Sequence, residues 1–143
     1  MNITFKTILC VGLCHFAAAL YGKAEPQNIL ESAAYQSPKD LDSTHKFLGK
    51  FLPKRLFLIL SEKDKYLTQR LLLQALEESP SYLDTKWNNL DNQHRGSILV
   101  YPIEDVEGTK CRKFLARFYI NDEGTDVNGR ACRINKKWQI LDD

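Results

Sequence analysis

The spacing of apolar and polar residues changes several times along this chain, and each change marks a boundary. Residues 8–20 form an apolar run broken mainly by His15, behind one early cation, Lys6, and with no acid anywhere in 1–24. In 25–45 two prolines, Pro26 and Pro38, stand among polar and small residues with no sustained period, which predicts a flexible linker. The stretch 46–60 reads KFLGKFLPKRLFLIL; Phe47, Leu48, Phe51 and Leu52 fall at helical spacing, and Pro53 rules out one uninterrupted helix. Next comes the clearest helical pattern. Ser61 offers an N-cap, Glu62 and Asp64 put negative charge in the first turn, and Leu67, Leu71 and Ala75 recur with Leu72 and Leu76 beside them. A helix over 62–78 is predicted, ended before Pro80, with its stripe facing a core.

Beyond Pro80 the period falls to two. Residues 96–103, 111–120, 126–134 and 138–141 read as strands, Trp87 belongs to another short one, and Glu107-Gly108, residues 121–124 and Asn135-Lys136 carry turn chemistry. Short links between consecutive strands predict an antiparallel meander of four to five strands, with one face under the helix and the other partly wet. The fold class is therefore α+β. The divisions are 1–24, signal peptide; 25–45, linker; 46–80, basic apolar segment and helix; 81–143, sheet domain.

Length and composition narrow the classes. With 143 residues, 43% hydrophobic and 27% charged, the chain suits one modest globular domain with an appendage. The run 8–20 is too short for a helix to cross a bilayer core of about 30 Å and fits an export signal, with a cut before Glu25 or an earlier one before Leu20. Cys10 and Cys14 each follow a leucine, a poor context for lipid attachment. Removing 1–24 takes away Lys6 and Lys23, so the formal charge of +2 falls to zero. From Ser81 onward ten cations meet ten acids, which leaves no electrostatic footprint for nucleic acid. What stays basic is local: Lys46, Lys50, Lys54 and Arg55, with no acid in 46–60. Interleaved with Phe47 and Phe51, these are a candidate membrane contact; alternatively the segment packs on the sheet with its cations in water.

Few residues offer chemistry. Cys111 and Cys132 are the only cysteines outside the leader, and in an oxidising compartment they are expected to form a structural disulfide. No His or Cys stands at ligand spacing from either one, so no metal or cofactor is expected. His94 lies in a polar turn and reads as a solvated loop residue. Phosphate-binding glycine loops and nucleophile motifs are absent, and no catalytic residue is expected. Arg112, Arg117, Arg130 and Arg133 are expected to pair with acids across strands, Trp87 and Trp138 read most simply as core residues on a sheet face, and Arg112, Arg133 and Trp87 are also candidates for a partner surface.

The segment 75–143 resembles the surface-antigen domain of the rickettsial 17 kDa surface antigen family of Gram-negative envelope proteins. The resemblance rests on ALEE at 75–78, Trp87 and Asn89, Asp91-Asn92, Gly96, Tyr101-Pro102, Cys111-Arg112 with Phe114, GRACR at 129–133 and Trp138-Gln139-Ile140, and it reaches back to LSEKD at 60–64. It implies an exported protein of the periplasm or outer membrane, with no catalytic residues to transfer. The chain departs from that pattern in lacking a good lipidation box and in carrying 46–60 where a glycine-zipper segment often stands. Together these readings predict a non-enzymatic envelope protein that binds an envelope protein or peptidoglycan, with peripheral membrane contact as a further candidate. The rival is a secreted or periplasmic inhibitor that occludes an enzyme through an exposed loop such as 103–110.

Overall fold

The computed structural model of the chain describes residues 29–31 and 41–141. The expected leader, 1–24, and most of the linker lie outside them. The elements run β1 (Ile29–Glu31), α1 (Leu41–Leu48), α2 (Lys54–Ile59), α3 (Glu62–Glu78), β2 (Asp84–Asn89), β3 (His94–Val106), β4 (Thr109–Ile120), β5 (Glu123–Ile134) and β6 (Lys137–Leu141). Strands β2 to β6 form the expected antiparallel meander in sequential order, and β1 adds a sixth, parallel strand outside β2.

Two parts of the expected linker are therefore ordered elements. Ile29–Glu31 pairs with Lys86, Trp87 and Asn88 and supplies backbone partners to an edge that would otherwise be open. Three residues show no period, so the strand exists through its neighbour rather than through its own pattern. The helix α1 begins at Leu41, inside the same stretch, and buries Thr44 and Leu48. As the proline requires, the helical run stops at Leu48 and resumes at Lys54, with Pro53 as N-cap of α2.

The hairpins turn on pairs of left-handed residues: Glu107-Gly108, Asn121-Asp122 and Asn135-Lys136 all have positive φ. Two such residues in succession give the turn whose twist matches that of the flanking strands. Alternation then sorts side chains by face. Thr85, Trp87 and Asn89 of β2, Ile98 and Val100 of β3, Phe114, Ala116 and Phe118 of β4, and Ala131 and Ile140 of β5 and β6 are all buried. Against them lies the predicted stripe, Leu67, Leu71, Leu72, Ala75 and Leu76, every member buried, joined by Leu48, Leu52, Leu56 and Leu60. Burial of each such side chain contributes about 1.5–3 kcal/mol, which makes this layer the main source of stability.

Two glycines fit large rings into this core. A Cβ on Gly96 would stand 2.6 Å from Trp87 Nε1 and 2.8 Å from the Arg117 carbonyl, and one on Gly129 would collide with the Phe114 ring. Phe51 meets that same ring edge-on at 5.2 Å, tying the segment before Pro53 to the sheet.

Candidate functional site: the uncovered face of the sheet

Only one face of the sheet is covered by helices. The other presents Asp84, Lys86 and Asn88 from β2, Arg95 and Ser97 from β3, Lys113, Arg117 and Tyr119 from β4, and Asp126, Asn128 and Arg130 from β5, all by strict alternation with the buried set. Its ion pairs are long: Arg117 lies 3.8 Å from Asp84 and 3.4 Å from Asp126, and Lys113 and Arg130 each lie 3.6 Å from Glu104. Arg95 stands 5.3 Å over the Tyr119 ring and 3.9 Å from Asp122. A shallow hollow of about 390 Å³ opens between β2, β3 and β4, lined by Asp84, Lys86, Arg95, Arg117 and Tyr119. One carboxylate oxygen of Asp84 there is buried without a hydrogen-bond partner. A second hollow, about 430 Å³, lies over β4 and β5 beside Tyr101, Lys113 and Arg130. Donors, acceptors and the rings of Tyr101 and Tyr119 thus share an open surface, an arrangement suited to recognition.

Cys111 and Cys132 stand directly opposite each other on β4 and β5 and form the disulfide expected of them, with Cα atoms 4.0 Å apart. It lies on the same side of the sheet as the ion pairs but is buried.

Arg112, by contrast, is not at a surface. It projects from β4 into the helix side and donates to the carbonyls of Ala75, Leu76 and Ser79, to the Tyr101 carbonyl and to the Ser81 hydroxyl, at 2.7–3.3 Å. Helix α3 has no cation in its own last turn. Arg112 supplies that charge from the sheet, where the helix dipole and unpaired carbonyls favour it. Burial alone pulls its pKa below the ordinary arginine value. Trp87 is 1% exposed, so it is the core residue that its place in a strand suggests and not a partner surface. Arg133, the third candidate, is half-exposed on the helix side, where it pairs with Glu77 at 3.0 Å, and Trp138 Nε1 donates to the same carboxylate at 2.8 Å. None of the three lies on the uncovered face. Of the cross-strand pairs expected for arginine, those of Arg117 and Arg130 are present, whereas Arg112 binds carbonyls and a hydroxyl and Arg133 reaches a helix.

The basic segment also divides. Lys46, Lys50, Lys54 and Arg55 are exposed, while Phe47 and Phe51 turn inward against the core. Lys50 Nζ donates to the Ile140 carbonyl at 3.3 Å, near β6, whereas Arg55 borders a hollow beside Ile120 at the far end of β4. These six residues do not form one patch. The expected loop 103–110 is instead the tip of the β3–β4 hairpin, with Ile103 and Val106 exposed.

His94, expected in a solvated loop, is instead largely buried. Its Nδ1–H donates to Asp64 Oδ2 at 2.9 Å, and its side chain is 12% exposed. Asp64 is wholly buried at the start of α3 and also accepts from the Ser61 backbone, from Asn89 at 2.6 Å and from Asn92 at 2.9 Å. Burial pushes this carboxyl upward, but the bonds from Asn89, His94 and Ser61 outweigh it and hold the pKa below its usual 3.8. The capping box on Ser61 was legible as S-x-x-D; the partners thirty residues away were not. Ser61 Oγ takes the Asp64 N–H at 3.2 Å as part of the capping box. The cluster clips the β2–β3 turn to the helix. Among the described residues no group of three His, Cys, Asp or Glu could hold a metal, and no helix is long and apolar enough to cross a membrane.

With these positions known, comparison with other proteins adds one consistent signal. The chain is similar to rickettsial 17 kDa surface antigens. It is 27% identical over 84 residues to those of Rickettsia conorii and Rickettsia rickettsii, matching 57% of this chain and 53% of theirs. Against the 17 kDa surface antigen of Rickettsia prowazekii it is 28% identical over 82 residues. The chain spans about half the length of the curated relatives it matches. No family model and no solved structure matches it. Most of the residues quoted above for the surface-antigen resemblance hold the fold: Ser61, Asp64, Asn89 and Asn92 in the clip, Gly96 and Gly129 under rings, Arg112 at the helix end, and the disulfide.

Proposed function

We propose that this chain is an exported, non-enzymatic protein of a Gram-negative cell envelope, in the periplasm or at the outer membrane. Its sheet domain binds another envelope component, an envelope protein or peptidoglycan, through the uncovered face. The similarity to proteins named surface antigens carries the assignment to the envelope. The uncovered face is favoured as the binding surface because its ion pairs are long and its hollows are open. Polar hollows of this kind suit glycan hydroxyls or a peptide backbone, both of which donate and accept hydrogen bonds.

Fractionation of cells producing the full chain, with mass spectrometry of its mature N-terminus and cosedimentation with purified sacculi or capture from envelope extracts, tests the proposal. Recovery in the envelope with a new terminus at Leu20 or Glu25, together with retention by sacculi or by an envelope protein, is expected. Recovery in the cytosol with Met1 intact overturns the assignment.

A further inference from the structure

The helical layer carries a second candidate contact, at α2 and apart from the hollows of the uncovered face. Helix α2 turns Leu56 into the core, and Phe57 packs under Lys65, whose Nζ lies 4.3 Å from the ring centre. Its remaining apolar side chains point outward: Leu58 is 71% exposed and Ile59 48%. Four-residue spacing sets Lys54 one turn before Leu58 and Arg55 one turn before Ile59, so two neighbouring rows each pair a cation with an aliphatic. Both cations are exposed, and neither has an ion pair or hydrogen bond among the described residues. The nearest acid in sequence, Glu62, is already held by His45 at 2.6 Å and Lys65 at 2.8 Å. Glu123 lies across the hollow beside Arg55 and Ile59.

We infer that α2 is a peripheral membrane contact, with Leu58 and Ile59 entering the acyl boundary of an anionic phospholipid surface while Lys54 and Arg55 stay with its phosphates. Charge complementarity selects this occupant, since α2 itself carries two exposed cations, Lys54 and Arg55, and no acid. The shape of the segment agrees: the aliphatics protrude from a helix, and the aromatic rings that would anchor a protein partner, Phe47, Phe51 and Phe57, are turned inward. Long cationic stems beside buried aliphatics allow the charges to remain at headgroup level.

The test uses the full chain with phosphatidylcholine vesicles, with and without phosphatidylglycerol. Lys54→Gln with Arg55→Gln is expected to weaken partitioning onto the anionic vesicles roughly twentyfold. Binding to pure phosphatidylcholine stays as in the wild type. In a Leu58→Trp variant, brominated acyl chains are expected to quench the added indole beyond the wild-type signal. Equal partitioning of the double variant and the wild type overturns the inference, as does an indole at position 58 that brominated lipid leaves unquenched. These side chains are exposed and off the uncovered face, so failure here leaves the envelope-binding proposal standing.

Discussion

The two faces of this sheet treat polar groups in opposite ways. On the covered face Arg112 and Asp64 are buried, yet each is matched donor to acceptor: five bonds from the guanidinium, four to the carboxylate. On the uncovered face Arg117 and Arg130 reach their acids at 3.4–3.8 Å, longer than the roughly 2.7–2.9 Å of a close charged hydrogen bond. Burial makes an unmatched group costly, which accounts for the full sets of partners on Arg112 and Asp64; Thr68 Oγ1 and Trp87 Nε1 on the same side are buried without one. Water screens the second set, whose pairs contribute about 0–1 kcal/mol each. The polar groups of one face hold the fold, and those of the other are free to exchange partners.

The largest effect that could break this contrast is expected at Arg112. Its replacement by alanine leaves the carbonyls of Leu76 and Ser79 without the guanidinium and the Ala75 carbonyl with only the Ser79 N–H, and urea unfolding should show a loss of about 4 kcal/mol. A loss below about 1 kcal/mol would equate it with a surface arginine. Cys111→Ser comes next: the bond spans a separation of 21 residues, which predicts about 3 kcal/mol and a lowered melting temperature. An unchanged melting temperature would contradict a structural role for the disulfide.

Asp64→Ala should cost about 2 kcal/mol at neutral pH by leaving Asn89, Asn92 and His94 without their acceptor. The depressed pKa sets the sign of its pH dependence. Asp64 contributes fully above its unfolded value, near 3.8, and loses that contribution as pH falls through the lower folded value. Wild type and variant should therefore converge below about pH 3.8 in acid unfolding, and a constant gap would argue against the carboxylate. The smallest effect belongs to Arg117→Ala, under about 1 kcal/mol and shrinking with added salt.

Much of the fold was legible because its signals are local. Helix α3 and its stripe, the strands β3 to β6 and their turns follow from period and turn chemistry within short windows. Strand β1 escaped because three residues carry no period. The candidate partner residues Arg112 and Arg133 were harder for a related reason, since they looked alike as large side chains in strands. Only the register, with the helix overhead, puts Arg112 inside. For His94, a turn full of polar residues resembles a solvated loop, and its partner Asp64 lies 30 positions away. The same reasoning separates Phe47 and Phe51 from the cations interleaved with them.

The division between the two faces is tested most directly by one variant measured twice. Lys86→Ala, Arg117→Ala and Tyr119→Ala together alter the hollow between β2 and β4 without touching the core. The melting temperature is expected to stay within a few degrees of wild type, about the shift that 1 kcal/mol produces in a domain of this size. Retention by sacculi or envelope extracts should fall at least tenfold, about 1.4 kcal/mol. Retention equal to wild type in a folded variant would contradict the assignment of recognition to the uncovered face.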